Sequence, residues 1–557
     1  MAGTEKVQKA QEPLQTIIVP VTKRDSHHSP HSSTTRTGAE EVGHEYLEGF
    51  KLGLITFALC LSVFLMALDN TILATAIPKI TDYFHSLNDV GWYGSAYLLT
   101  TASFQLMFGK FYTYFSIKWT FITAISIFEI GSFICGAAPS SEALIVGRAI
   151  AGIGSAGVFS GALIVVAHAV PLQKRPLFNG LIGAMYGLAS VAGPSLGGAF
   201  TDKVTWRWCF YINLPIGAIT LLIIAFFFKS PPRQKSSKID SWRDGLSKFD
   251  LWGTLAFIPA VVSLLLALQW GGTKYPWSDG RIIGLFVVFG VLIVIFIGIQ
   301  IWKQDDATVP PRILMQRSIL SSAWFALSLG TSFFIMVYYV PIWFQAIKGT
   351  SAVKSGIDNL PSILAVVVAS LISGAMITAT GYYAPCMILS TVLASVGTGL
   401  ISTFRPDTSS AKWIGFQVIF GLGIGAGLQQ PVLAAQTVLP LHDVPSGTAI
   451  IMFAQTAGGA LFLSVAQNVF TNKLVAEIIK NAPGVNPMTV LGAGATVVRS
   501  VVPQESLTSV IKAYNQALVN AFYVSVAMAC LSVVGSGFIE WKNVKESGNG
   551  ETVAHTA

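Results

Sequence analysis

About fourteen stretches of this chain are apolar for long enough to cross a bilayer, and that succession limits the fold more than any single motif does. They cover approximately 52–76, 90–108, 118–138, 143–167, 178–200, 209–228, 251–270, 282–302, 319–343, 362–380, 386–404, 413–435, 448–470 and 518–539. A hydrocarbon core about 30 Å thick is crossed by about 20 residues of helix. Within it every backbone N–H and C=O must be satisfied internally, which a helix does. The expected fold class is therefore an all-α membrane protein with about fourteen transmembrane helices. The chain is 52% hydrophobic and only 11% charged, against about 25% charged in soluble domains. The lipid bilayer is its first partner.

The polar remainder sets topology. Residues 1–50 are rich in Ser, Thr and His and lack an apolar run, so they read as a disordered cytoplasmic tail and not a signal peptide. His27, His28 and His31 lie in that tail and read as solvated; no metal is expected. An even number of spans places both termini on one side. The loops on that side hold about 21 Lys and Arg against about 13 opposite, with Lys229, Arg233, Lys235, Lys238, Arg243 and Lys248 clustered between spans 6 and 7. The positive-inside rule makes that side cytoplasmic. The same bias accounts for the net charge of +8 without nucleic acid as a partner. Five cysteines stand singly, with no C-x-x-C, so neither a disulfide framework nor a zinc site is indicated. The longest outer loop covers 471–517, and Leu507, Val510, Ile511, Tyr514 and Leu518 predict an amphipathic helix before the last span.

Two halves repeat each other weakly. GRAIAGIGSAG from Gly147 aligns with FQVIFGLGIGAG from Phe416, pairing Gly152 with Gly421, Gly154 with Gly423 and Arg148 with Gln417. Gly109 and Ser116 have the spacing of Gly374 and Gly381. The fifth stretch, GLIGAMYGLASVAGPSLGGAF from Gly180, is free of charge and dense in glycine. Each interior Gly costs a soluble helix about 1 kcal/mol against Ala, whereas in a membrane small residues let neighbouring backbones approach. Pro194 removes one backbone hydrogen bond and bends the helix.

These motifs resemble the major facilitator superfamily. Gly180, Gly193, Pro194, Gly197 and Gly198 match its antiporter signature, with Ala189 where another glycine is usual. LDNTILATAIPKI from Leu68 and WRWCFYINLPIG from Trp206 are similar to motifs of its fourteen-span drug:proton antiporters, the fungal toxin and multidrug efflux type. LIVGRAIAGIGSAG from Leu144 resembles the span 4 motif around a basic residue, with Ala151 in place of its glutamine. GKFYTYFSIKWTF from Gly109 departs from the family loop, with Thr113 at the usual Asp and Tyr114 at the usual Arg, which leaves a gating salt bridge there in doubt.

The resemblance implies two six-helix bundles, at 51–228 and 303–540, with two inserted helices at 251–302. A cytoplasmic loop over 229–250 and a cytoplasmic tail over 541–557 complete the plan. It also implies alternating access, a small-molecule substrate, the proton gradient as energy source with no cofactor, and a monomer in the plasma membrane, the vacuolar membrane being the alternative.

Three charges lie at membrane depth: Asp69, Glu129 and Arg148. Such groups are costly there and face a bundle interior or a wet cavity. By helical rise Asp69 lies roughly 25 Å from the inner end of span 1 and Arg148 roughly 8 Å from the outer end of span 4, a similar depth that permits a pair. Glu129, in the middle of span 3 with no charged partner in view, favours its protonated form, as a proton carrier needs. These three are the candidate proton-coupling residues. Asn70, Gln417, Gln429, Gln430 and Gln455 are the candidate cavity residues. The function expected is proton-coupled export of small amphipathic organic molecules. The alternatives are a proton-coupled importer of an iron chelate or nutrient, and a facilitator-fold receptor. The eight histidines form no catalytic constellation near the spans, and no H-E-x-x-H or Walker A motif occurs, so neither an enzyme nor an ATP-driven pump is expected.

Overall fold

A computed structural model describes residues 47–86, 89–229, 250–272 and 274–546. The expected tail over 1–50, the loop over 229–250 and the tail over 541–557 lie wholly or mostly outside the described residues. Regular structure among the described residues is helical. The N-terminal bundle comprises α1 (Gly49–Phe84), α2 (Val90–Tyr114), α3 (Ile117–Ala137), α4 (Ser141–Ala169), α5 (Arg175–Lys203) and α6 (Asn213–Phe227), the last entered through one turn at Trp208–Tyr211. The pair α7 (Leu251–Trp270) and α8 (Gly280–Lys303) follows. The C-terminal bundle comprises α9 (Arg317–Ala346), α10 (Leu360–Thr380), α11 (Ala384–Ile401), α12 (Ser410–Gly427, continued by Gln430–Val438), α13 (Val444–Asn481) and α14 (Gln504–Phe538).

Twelve of these helices are long and apolar enough to cross a membrane. The other two, α2 and α5, have 25 and 29 residues and fall short in hydropathy alone. Their composition explains this: α2 turns Tyr, Thr and Gln towards its neighbours, and α5 is built on glycine. Both lie between the bundles, α2 against α13 and α5 against α10. Two clusters of buried apolar side chains correspond to the two bundles. The inserted pair packs mainly on itself, with α7 also touching α2 and α13. α8 leaves Val287, Val291, Val294 and Ile301 exposed, as a lipid-facing helix does.

Glycine sets the closest approaches. A Cβ at Gly193 would stand 2.9 Å from the Ile72 nitrogen, and one at Gly197 would stand 2.7 Å from the Ile72 carbonyl oxygen. These two positions seat α5 on α1, where Thr71 Oγ1 also donates to the Ala189 carbonyl at 3.1 Å. Gly180 serves a different neighbour. A Cβ there would lie 2.6 Å from the Ser370 oxygen of α10, and a Cβ at Gly374 of α10 would lie 2.6 Å from the Pro176 oxygen. Gly198 is looser, 3.2 Å from Val353, and Pro194 lies against Gly356. The signature therefore holds α5 to its own bundle with one part and to the other bundle with the rest.

The outer loop differs from expectation. No separate helix covers 505–518, because nothing between Gln504 and Phe538 interrupts α14: no proline occurs and the first glycine is Gly535. Val510, Ile511, Tyr514 and Leu518 are buried on that continuous helix. The separate helix is Pro487–Val501, opened by Pro487 and capped by Asn486, whose side chain accepts from the Met488 N–H at 2.9 Å. α13 continues to Asn481, so its 38 residues extend about 57 Å, past one face of the hydrocarbon core.

Gly193→Leu is expected to lower the melting temperature of the detergent-solubilised protein, since overpacking costs about 1–3 kcal/mol. Gly284→Leu on α8, where a Cβ meets nothing within 4 Å, is expected to leave it unchanged. Equal melting of the two variants in a thermal-shift assay would remove the packing role given to Gly193.

Candidate functional site

A cavity of about 50 Å³ lies where the bundles meet. Its wall combines Met66 and Asn70 of α1, Tyr97, Thr101 and Gln105 of α2, Phe159 of α4 and Tyr186 of α5 with Phe333 and Phe334 of α9 and Met452, Gln455 and Thr456 of α13. No charged side chain lines it. One water needs about 10–15 Å³ of such volume, whereas ligand pockets run to about 300–1,000 Å³. In this state the cavity accommodates a few waters, and the bundles must part to admit an organic molecule.

The charges lie behind α2. Arg148 of α4 and Asp69 of α1 are completely buried and form a salt bridge through Nη1 and Oδ2. Arg148 Nε donates to the Tyr93 carbonyl at 2.9 Å, and the guanidinium carbon stands 4.4 Å from the centre of the Tyr97 ring. Asn213 of α6 donates to Asp69 Oδ1 at 3.2 Å and to Ser132 Oγ of α3 at 3.1 Å. Five helices thus converge on one ion pair. They can do so because Gly152, one turn beyond Arg148, has no side chain: a Cβ there would run into the Tyr97 carbonyl.

Glu129 of α3 is also buried, and neither of its carboxyl oxygens has a hydrogen-bond partner. It packs against Gly217 of α6, where a Cβ would stand 3.0 Å from Glu129 Cγ. Glu129 is one helical turn from Ser132, and Gly217 one turn from Asn213, so the carboxyl lies next to the Asn213–Ser132 bond. Neither α3 nor α6 gives a side chain to the cavity wall, so Glu129 lies outside the cavity.

Of the amides expected on the cavity, Asn70 and Gln455 line it. Gln417, Gln429 and Gln430 do not. Gln417 donates to the Asp358 carbonyl at 3.0 Å, inside the C-terminal bundle. Gln430 donates to Ser373 Oγ at 3.2 Å and to the Ala426 carbonyl at 3.0 Å. Gln429 rests beside Gly183, with its Cγ 3.0 Å from where a Cβ would be. α12 is interrupted between Gly427 and Gln430; Leu428 takes the cavity position there, and both glutamines turn away from it. Among the residues of the site that were not singled out from sequence are Tyr97, Gln105 and Asn213. Asn213 was within reach, being the only amide in the WRWCFYINLPIG motif.

At the end of the bundle where α1 begins, the cavity is sealed without the family's carboxylate. Thr113 Oγ1 donates to the Gly109 carbonyl at 2.9 Å and lies 3.4 Å from Ser446 Oγ of α13. Nearby, Gln436 of α12 donates to the Leu163 carbonyl of α4 at 3.2 Å and accepts from Asn179 of α5 at 3.1 Å. Arg175 of α5 also donates to the Gln436 carbonyl at 3.5 Å, so a latch of hydroxyls, amides and one buried guanidinium joins the two bundles there.

The family model described as Major Facilitator Superfamily matches residues 59–463. The chain belongs to that superfamily. It is a membrane transporter by family, and among relatives it is 61% identical over 506 residues to "MFS-type efflux pump MFS1" of Trichophyton rubrum, covering 91% of this chain and 94% of that one. It is 55% identical over 495 residues to "Efflux pump roqT" of Penicillium rubens, covering 89% and 92%. With "Efflux pump aflT" of Aspergillus parasiticus it shares 53% over 511 residues, covering 91% and 99%. Among solved structures, the superfamily's proton:xylose symporter XylE matches with a TM-score of 0.58 at 12% identity, covering 90% of this chain and 98% of that one. That likeness is one of fold.

Removing one partner of a buried ion pair costs about 3–5 kcal/mol, while replacing both by apolar residues is often close to neutral. Arg148→Met is therefore expected to destabilise the protein more than the double substitution Arg148→Met with Asp69→Leu. Melting temperatures of the purified variants decide this, and a double variant as unstable as the single one would show that the pair itself contributes most of the stability.

Proposed function

We propose that this transporter exports small amphipathic organic molecules, toxins or secondary metabolites among them, in exchange for protons, by alternating access of fourteen spans. The observation that carries the reading is the uncharged cavity wall with a buried, fully enclosed ion pair immediately behind it. A wall of aromatic and thioether groups with a few amides suits solutes of mixed polarity. The names of the three fungal relatives support the outward direction, and no observation favours import or a receptor role. The protein is assigned to the plasma membrane as a monomer, with both termini and the Gln436 latch on the cytoplasmic side.

Two carboxyls have different roles in this scheme. Asp69 meets the Arg148 guanidinium and the Asn213 amide, and so ties α1, α4 and α6 together. Glu129 has no partner, and burying an unpaired carboxylate costs several kcal/mol, so it holds its proton in this closed state. Losing that proton demands either water or a donor between α3 and α6, and the state that supplies one is favoured. One pH unit supplies about 1.4 kcal/mol per proton. Exchange of a proton for an uncharged solute also moves one net charge, worth about 2.3 kcal/mol per 100 mV.

In proteoliposomes, flux is expected to respond to both an imposed pH gradient and a membrane potential. Glu129→Gln is expected to keep substrate binding and lose the dependence on the pH gradient. Asp69→Asn, which leaves Arg148 without its counter-charge, is expected to weaken flux at every pH. If Glu129→Gln retains the dependence while Asp69→Asn loses it, the two roles are exchanged. If neither variant alters it, proton coupling through this bundle fails. Direction is tested in cells, where overproduction is expected to reduce retention of the substrate; raised retention would reverse the export reading.

A further inference from the structure

We infer that Tyr97 is the recognition residue for the flat face of an uncharged aromatic ligand, and that it links that ligand to the Arg148–Asp69 pair behind it. The inference depends on the export reading only in taking the ligand to be cargo. Tyr97 borders the cavity and carries the Arg148 guanidinium over its ring at 4.4 Å. Arg148 Nη2 is buried and makes no hydrogen bond, so the ring is the contact that this part of the cation has. A cation over an aromatic ring draws on its electron-rich face, which leaves the ring a better acceptor for an electron-rich partner stacked elsewhere on it.

The ring is also held in place. Its hydroxyl donates to the Met66 carbonyl of α1 at 3.2 Å, and its backbone fits against Gly152. The ring therefore cannot move alone; α1, α2 and Arg148 shift with it. Elsewhere on the wall, Phe159, Tyr186 and Phe333 form a chain of rings with centroids 6.2 and 6.1 Å apart, passing from one bundle to the other. A planar solute entering between the bundles has aromatic faces from both. A cationic solute finds no carboxylate on this wall, and the Tyr97 ring already carries the Arg148 guanidinium, which repels a second cation.

The test uses the full-length protein in lipid nanodiscs, with Nile red as the uncharged fused-ring probe and rhodamine 6G as the permanent cation. Dissociation constants are measured by fluorescence anisotropy after subtraction of empty discs. The wild type is expected to bind Nile red more tightly than rhodamine 6G. Tyr97→Phe and Tyr97→Trp are expected to stay within about twofold for Nile red, whereas Tyr97→Leu loses about tenfold, the scale of one aromatic pair. Tyr97→Met, another unstacked apolar side chain, replaces the Leu variant if that protein does not assemble. Nile red binding by Tyr97→Leu or Tyr97→Met at wild-type strength would overturn the assignment, as would rhodamine 6G binding as tightly as Nile red. The expected pattern without Nile red flux under a pH gradient would remove the export reading and sustain the role of Tyr97.

Discussion

A salt bridge whose two side chains are completely buried governs the N-terminal bundle. Withdrawing an ion of this size from water costs several kcal/mol even after the protein relaxes. Arg148 and Asp69 offset that with each other, with the Tyr93 carbonyl, with the Tyr97 ring and with Asn213. Those partners come from four helices, with Tyr93 and Tyr97 both on α2, so the positions of α1, α2, α4 and α6 are specified together. The helices reach the pair because small residues surround it. A Cβ at Gly131 of α3 would stand 2.6 Å from the Ala151 Cα, and one at Gly147 of α4 would stand 2.9 Å from the Cys135 nitrogen. Those contacts close α3 on α4 and exclude lipid from the ions.

The cavity inherits its neutrality from this arrangement. Charge is kept one layer back, where it can alter how helices pack without attracting or repelling the solute directly. The seal at one end combines hydroxyls and amides at Thr113, Ser446, Gln436 and Asn179 with the buried Arg175, whose guanidinium donates to the Gln436 carbonyl.

Much of this was legible in the sequence. The apolar stretches placed fourteen helices, since hydropathy and length together leave the chain few alternatives in lipid. The Asp69–Arg148 pair could be anticipated from their similar depth by helical rise together with the family plan that sets spans 1 and 4 side by side. The amides were harder to place. A glutamine in a span has several ways to satisfy itself, and Gln417 and Gln430 use neighbouring carbonyls instead of a cavity. Tyr97 was invisible because a tyrosine in a span carries no mark that separates a cavity wall from a lipid face. The extent of α13 and α14 beyond the bilayer also escaped, because polar helix and polar loop have similar compositions.

The internal repeat separates what packing requires from the charge that accompanies it in one half. Gly152 meets the Tyr97 carbonyl of α2, and its counterpart Gly421 meets the Ser362 carbonyl of α10. Gly154 seats α4 against Phe128 of α3, and Gly423 seats α12 against Ala394 of α11. At the repeat position between them in role, Arg148 donates to the carbonyl of Tyr93 near the start of α2, and Gln417 donates to the carbonyl of Asp358 just before α10. Both halves thus keep the same backbone bond from the same register. Arginine makes that bond and retains a charge that must be met by Asp69; glutamine makes it and leaves nothing to neutralise. The geometry demanded by packing is served equally by either residue, so the additional charge in the N-terminal half is not explained by packing.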